Sequence, residues 1–186
     1  VAAFNEVGNE QYGTVGLPVD GTDIAILGED GTHLPQGEAG EIAVRGPQVM
    51  MGYWQRPDAT AEVMTHDGYF KTGDVGIVLE NGCIQIVDRL KDMIIVSGFN
   101  VYPNEIEDIL TQHPAVLEAA VIGKPDDKSG ERVCAYISLS SSADIADIEA
   151  HCRKQLTPYK VPKEFHVLDE LPKSSVGKLL RRMLRD

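Results

Sequence analysis

Over residues 1–87 the apolar positions come in short runs divided by glycine turns. Asp23–Leu27 and Glu41–Arg45 read as strands, with turn chemistry at Gly13–Pro18, at Glu29-Asp30-Gly31 and at Gly46-Pro47. Val75–Glu80 and Cys83–Val87 flank Asn81-Gly82, a strong hairpin signal because both loop residues take positive φ. A two-residue loop there sets Glu80 opposite Cys83, Leu79 opposite Ile84 and, at the open end, Asp74 opposite Arg89. The apolar cluster Met50-Met51-Gly52-Tyr53-Trp54 reads as core. Three to five strands with glycine-rich corners predict a small barrel-like sheet.

After residue 92 the pattern alternates between strand and helix. Met93–Val96 is a buried-type strand ended by Ser97-Gly98. A helix begins at Tyr102-Pro103: Glu105, Glu107 and Asp108 crowd its first turns, and Ile106, Ile109 and Leu110 share a face. Val116–Gly123 and Val133–Leu139 are strands joined by the polar loop Lys124–Gly130. A second helix turns Ile145, Ile148, Cys152 and Leu156 inward, and Lys163–Leu168 is a last strand. A short helix with Leu179, Leu180, Met183 and Leu184 on one side closes the chain. The expected fold is α+β. A distorted β-barrel-like subdomain fills 1–87, a hinge lies at 88–92, and an α+β domain fills 93–186.

Charge sharpens that division. The net charge is −12, and residues 1–87 carry three basic against thirteen acidic side chains. Residues 88–186 carry fourteen against sixteen. Asp88-Arg89-Leu90-Lys91-Asp92 puts four charges in five residues, so a solvated joint is expected there. The acidic balance argues against nucleic-acid binding, which needs a basic face. No apolar run approaches the roughly 20 residues that cross a bilayer. Cys83, Cys134 and Cys152 have no metal or redox spacing and are expected buried and reduced, in the cytoplasm. His151 is assigned to a polar helix face, and no metal site is expected. The start Val1-Ala2-Ala3-Phe4 is expected to belong to a piece of a longer protein.

Two places carry candidate chemistry. The Asp74 carboxylate can accept from two neighbouring hydroxyls while the Arg89 guanidinium donates to them, which would clamp a diol such as ribose. The alternative is an exposed cross-strand ion pair worth at most about 1 kcal/mol. Gly73 would let backbone approach a ligand, or it marks a bulge. Lys178 follows the small-residue loop Pro172–Gly177 and could be aimed at an anion, although the loop lacks the first Gly and the Ser/Thr of the nucleotide-binding P-loop. At the start of the expected helix this Lys would oppose the helix dipole. A residue that breaks a local rule is a functional candidate; a solvated helix start is the plainer alternative.

Four motifs bring these residues together. Tyr69–Asp74, Asp88–Gly98, Val101–Glu107 and Leu171–Lys178 occur in this order in the adenylate-forming, acyl-activating enzymes, which the chain resembles over essentially its whole length. Gly46–Pro57 and Val96–Glu105 look most like bacterial long-chain fatty acid–CoA ligases. The resemblance implies two steps. A fatty acid carboxylate attacks the α-phosphate of ATP to give acyl-AMP and pyrophosphate, and the CoA thiol then displaces AMP. It implies that Asp74 and Arg89 hold the AMP ribose and that Lys91 is the hinge of a rotating lid. It also implies that Ser97 and Gly98 line the pantetheine tunnel and that Lys178 reaches the α-phosphate. ATP/AMP, CoA and Mg²⁺ are the implied cofactors, with Mg²⁺ held mainly outside this chain. The phosphate loop and acyl pocket of the family are absent and are expected before Val1, in a missing N-terminal domain, so this piece alone is expected to be inactive. The resemblance places the enzyme in the cytoplasm, with peripheral contact to the inner membrane in view. An aryl or medium-chain acid, a carrier-protein acceptor, and a free-standing nucleotide-binding module stay open as alternatives.

Overall fold

The computed structural model describes residues 1–185, and they divide into two compact units, Val1–Lys91 and Asp92 onward. In the first unit, β1 (Ala3–Phe4) and β2 (Leu17–Pro18) form a small antiparallel pair. Strands β3 (Asp23–Leu27), β4 (Gly40–Arg45), β5 (Phe70–Val78) and β6 (Ile84–Arg89) form an antiparallel sheet in sequence order, and α1 (Pro57–Val63) connects β4 to β5. Period-two alternation decides the faces. Ile26, Ile42, Val44 and Ile84 are buried on one side, and Leu27, Ala43 and Tyr69 on the other. The expected barrel does not close: β3 and β6 are the edges of an open sheet.

The Met50–Trp54 cluster is not core. Met51 and Trp54 are almost fully exposed, and Met50 and Tyr53 are partly so. The segment is irregular backbone with Gly52 and Gln55 at positive φ, so its apolar side chains share no face that the sheet could cover.

The second unit is built on a long hairpin. β9 (Val116–Asp126) pairs antiparallel with β10 (Gly130–Leu139). The segment expected as a loop from Lys124 is mostly strand, because Asp126 caps a tight turn. Its Oδ1 accepts from the backbone N–H groups of Lys128 and Ser129 and from the Ser129 hydroxyl at 2.8–3.1 Å. The other edge of β10 takes β11 (Glu164–Val167) in parallel and touches the short hairpin β7 (Ile94–Val96)–β8 (Phe99–Val101). Helices α2 (Pro103–Thr111) and α3 (Ile145–Gln155) cover one sheet face through Ile106, Leu110, Ile148 and Cys152. Pro103 starts α2 and the Asp144 side chain caps α3. Ala120, Ile122, Cys134 and Tyr136 on the opposite face are covered by Leu171 and Leu184. All three cysteines are free and buried, and burial raises the Cys152 thiol to about 11.

Candidate active site

Asp74 and Arg89 do stand opposite each other, with Arg89 Nε 3.5 Å from Asp74 Oδ1 and both side chains partly exposed. The expected route to that register was wrong. Leu79 N–H donates to Cys83 O (2.9 Å) and Gly82 N–H to Leu79 O (2.8 Å), so the loop has three residues, with Gly82 at φ +81°. Leu79 therefore faces Cys83, and Val78 faces Ile84, one step off the two-residue register. A bulge between Val75 and Gly76 restores the step, and Asp74 meets Arg89 again. Glycine is required at 76, where a Cβ would lie 2.7 Å from Gln85 O and 2.5 Å from the Ile42 side chain.

Gly73 lies in a second bulge, at φ +75°, where Thr72, Gly73 and Asp74 oppose Ile42 alone. No heavy atom lies within 4 Å of a Cβ placed there, so the backbone angle is what calls for glycine. Thr72 Oγ1 donates to Ile42 O (2.8 Å) and accepts from Asp74 N–H (3.2 Å), while Gly73 N–H donates to Glu41 Oε1 (3.1 Å). These bonds hold the backbone that presents the Asp74 carboxylate. Asp88 departs from the solvated joint expected: it is 2% exposed within β6, and its Oδ1 accepts from Arg89 N–H at 2.7 Å. Lys91 is exposed in the 3₁₀ turn Leu90–Asp92.

In the second unit Ser97 and Gly98 form the two-residue loop between paired Val96 and Phe99, at φ +52° and +83°. Ser97 N–H donates to Ser129 O at 2.7 Å. Both loop residues are exposed, and the Phe99 ring stacks on Tyr159 at 4.9 Å.

Lys178 does not begin a helix. Lys173 bridges to Leu179, Ser174 N–H donates to Lys178 O (2.8 Å) and Leu180 N–H to Pro172 O (2.8 Å), so residues 172–180 form a small hairpin. Gly177 at φ +79° closes its turn, and Ser174 Oγ accepts from Lys178 N–H. The opposition to a helix dipole therefore falls away, and Lys178 is an exposed cation on the return arm of a hairpin. After the hairpin, Arg181–Leu184 makes a 3₁₀ turn, with Leu184 buried and Met183 exposed. The neighbouring Lys173 is engaged: its ammonium donates to Glu118 at 2.7 Å, and that hydrogen bond holds its pKa above the usual lysine range.

Sequence reasoning missed an ionic cluster beside this hairpin. Arg181 donates through Nε and Nη2 to the two oxygens of Glu107, at 2.9 and 2.6 Å. Its Nη1 reaches Asp92 Oδ2 at 3.5 Å, and Arg185 Nη2 meets Asp92 Oδ1 at 2.7 Å. Arg181 and Glu107 lie 74 positions apart, beyond any local periodicity. Among the described residues no three His, Cys, Asp or Glu side chains converge as metal ligands, so no step is assigned to a metal held here. No described helix is long and apolar enough to cross a membrane.

Residues 105–178 match the AMP-binding enzyme C-terminal domain, and residues 1–54 match the AMP-binding enzyme family. The chain belongs to the AMP-binding, adenylate-forming enzymes. It is 54% identical over 94% of its length to a long-chain-fatty-acid–CoA ligase of Yersinia pestis. It is 43% identical over 95% of its length to a sulfoacetate–CoA ligase of Cupriavidus necator. Among solved structures, ATP-bound MatB from Rhodopseudomonas palustris matches 96% of the chain at 38% identity and a TM-score of 0.91, over 36% of its own length. The chain spans 31% of the Yersinia ligase and 35% of the Cupriavidus one.

Proposed function

We propose that this chain is the C-terminal portion of a long-chain fatty acid–CoA ligase. The exposed Lys178 ammonium on the return arm of its hairpin is the observation that carries the reading. In the first step a fatty acid carboxylate oxygen forms a bond to the α-phosphorus of ATP, and the bond to pyrophosphate breaks. Two anions approach, and a cation brought to the α-phosphate offsets charge that develops in the transition state. In the second step the CoA sulfur bonds to the acyl carbon, loses its proton and displaces AMP. This reading assigns Lys178 to the first step and not to the second. Asp74 and Arg89 accept from and donate to the ribose hydroxyls of AMP. The joint around Lys91 lets the second unit present Lys178 first and Ser97-Gly98 second. Mg²⁺ would arrive with the ATP phosphates and be held outside this chain. Work in the cytoplasm, with contact at the membrane face where fatty acids partition, belongs to the same reading.

A second reading keeps the chemistry and changes the acid. It is favoured by the 43% identity to a sulfoacetate–CoA ligase, since one scaffold of this type accompanies two very different acids. The test is the full-length protein assayed with ATP, CoA and a panel of acids. Lys178→Ala should slow adenylation about 10²–10³-fold and spare thioester formation from supplied acyl-AMP. Equal loss in both steps would remove Lys178 from the role given, and turnover of short or aryl acids alone would favour the second reading.

A further inference from the structure

Lys178 rides on an exposed hairpin, and a flexible side chain there needs a firm base to reach one phosphate. Arg181 follows it by three residues, and its guanidinium side chain is only 16% exposed. It holds Glu107 through two nitrogens at 2.9 and 2.6 Å, Asn104 Oδ1 at 2.5 Å and Asp92 Oδ2 at 3.5 Å. Asn104 and Glu107 lie in α2. Glu107 Oε1 also accepts from Val121 N–H of β9 at 2.7 Å. Asp92 is the first residue of the second unit, directly after Lys91. One planar cation thus ties the end of the Lys178 hairpin to a helix, to the central sheet and to the start of the unit. Glu107 and Asp92 are each 13% exposed, so both acids depend on close cationic partners.

We infer that Arg181 is a positioning residue for the adenylation step, fixing the Lys178 hairpin against the residue that leaves the joint. The inference rests on the adenylation reading. A displacement of about 1 Å at a reacting group can cost about 10²-fold in rate, and a base fixed through Arg181 limits such displacement. Lysine cannot replace it, because a point charge cannot hold a carboxylate by two nitrogens while reaching an amide and a second acid.

The test compares four variants of the full-length enzyme: Arg181→Lys, Lys178→Ala, the double variant, and Arg182→Ala as an exposed neighbouring control. Arg181→Lys should lower fatty acid-dependent ATP–pyrophosphate exchange about 10–100-fold, through kcat rather than the KM for ATP. Thioester formation from supplied acyl-AMP should hold within about twofold. In the Lys178→Ala background the same change should cost nothing further, since Arg181 acts through Lys178. Arg182→Ala should leave both steps unchanged. If Arg181→Lys lowers the melting temperature enough to depopulate the fold, Glu107→Gln, which keeps shape and reduces charge, reads the same contrast. Equal loss in both steps, or a full additional loss in the double variant, would mean a purely structural role and overturn the inference. Normal exchange by Arg181→Lys would overturn it alone. A wild-type enzyme with no exchange for any fatty acid would overturn the reading beneath it.

Discussion

Two aspartates show how differently one side chain can be used. Asp74 has a guanidinium contact at 3.5 Å with both partners partly exposed. Such a pair is worth about 0–1 kcal/mol, so Asp74→Ala should leave the melting temperature nearly unchanged. In the full-length enzyme the same change should weaken AMP binding by tenfold or more, on the order of 1.5–3 kcal/mol for lost charged hydrogen bonds. Calorimetry showing unaltered AMP affinity would make Asp74 a plain ion pair. Asp126 is structural. The Ser129 hydroxyl and the N–H groups of Ser129 and Lys128 hold its carboxyl down to about 2, from an ordinary 3.8. A depressed folded pKa adds stability in full above the unfolded value, and that stability is lost as pH falls through the folded one. Asp126→Asn should therefore be less stable than wild type at neutral pH, and the gap should close between about pH 4 and pH 2. Urea titrations across that range measure it, and a gap independent of pH would contradict the assignment.

At the scale of elements, three hairpins present or frame the candidate site residues. The hairpin at Asn81-Gly82 was legible from its dipeptide, although Gly82 alone takes positive φ, Asn81 does not, and the loop has three residues. Ser97-Gly98 was read as a strand end only. Phe99–Val101 is three residues long and too short to show alternation. Ser97 holds φ +52° without being glycine or asparagine. Ser97→Asn should therefore stabilise the chain by a few tenths to about 1 kcal/mol, since asparagine tolerates this region better. Thermal unfolding reads the gain, and a loss would show that the serine hydroxyl matters more than its backbone. The Lys178 segment was misread as a helix start. Leucines at 179, 180 and 184 suit a helical face, yet the backbone of 179 and 180 pairs back with Lys173 and Pro172. A helix of a single turn gains too few bonds to offset its nucleation cost, so the hairpin wins.

For the whole molecule, the division at Lys91/Asp92 falls inside the charged stretch that composition singled out. Lys91 sits in a 3₁₀ turn, whose φ of about −50 to −70° proline also accepts. Lys91→Pro in the full-length enzyme should leave adenylation within a fewfold of wild type. By stiffening the joint it should slow thioester formation at least tenfold. Single-turnover measurements of each step separate the two, and normal thioester formation would count against Lys91 as the pivot. The outward-facing Met51 and Trp54 belong to this scale as well. Their apolar character was plain, but whether anything covers an apolar loop is decided by neighbours far along the chain.

Residue order by itself determined the α+β class, the strands with clear alternation, helices α2 and α3 and the identity of the charged groups, because these follow from local periodicity and turn chemistry; the short helix α1 was not read from it. It also placed Asp74 opposite Arg89, though only because a three-residue loop and a bulge cancel. The tertiary structure alone decided that the first sheet stays open, that Asp88 is buried and that Lys178 stands on a hairpin. It alone brought Arg181 to Glu107 and Asp92. The open sheet, the burial of Asp88 and the Arg181 cluster depend on contacts between segments distant in sequence, where packing and charge pairing in three dimensions outweigh what neighbours along the chain prefer; the Lys178 hairpin closes within residues 172–180, through backbone pairing that apolar periodicity does not register.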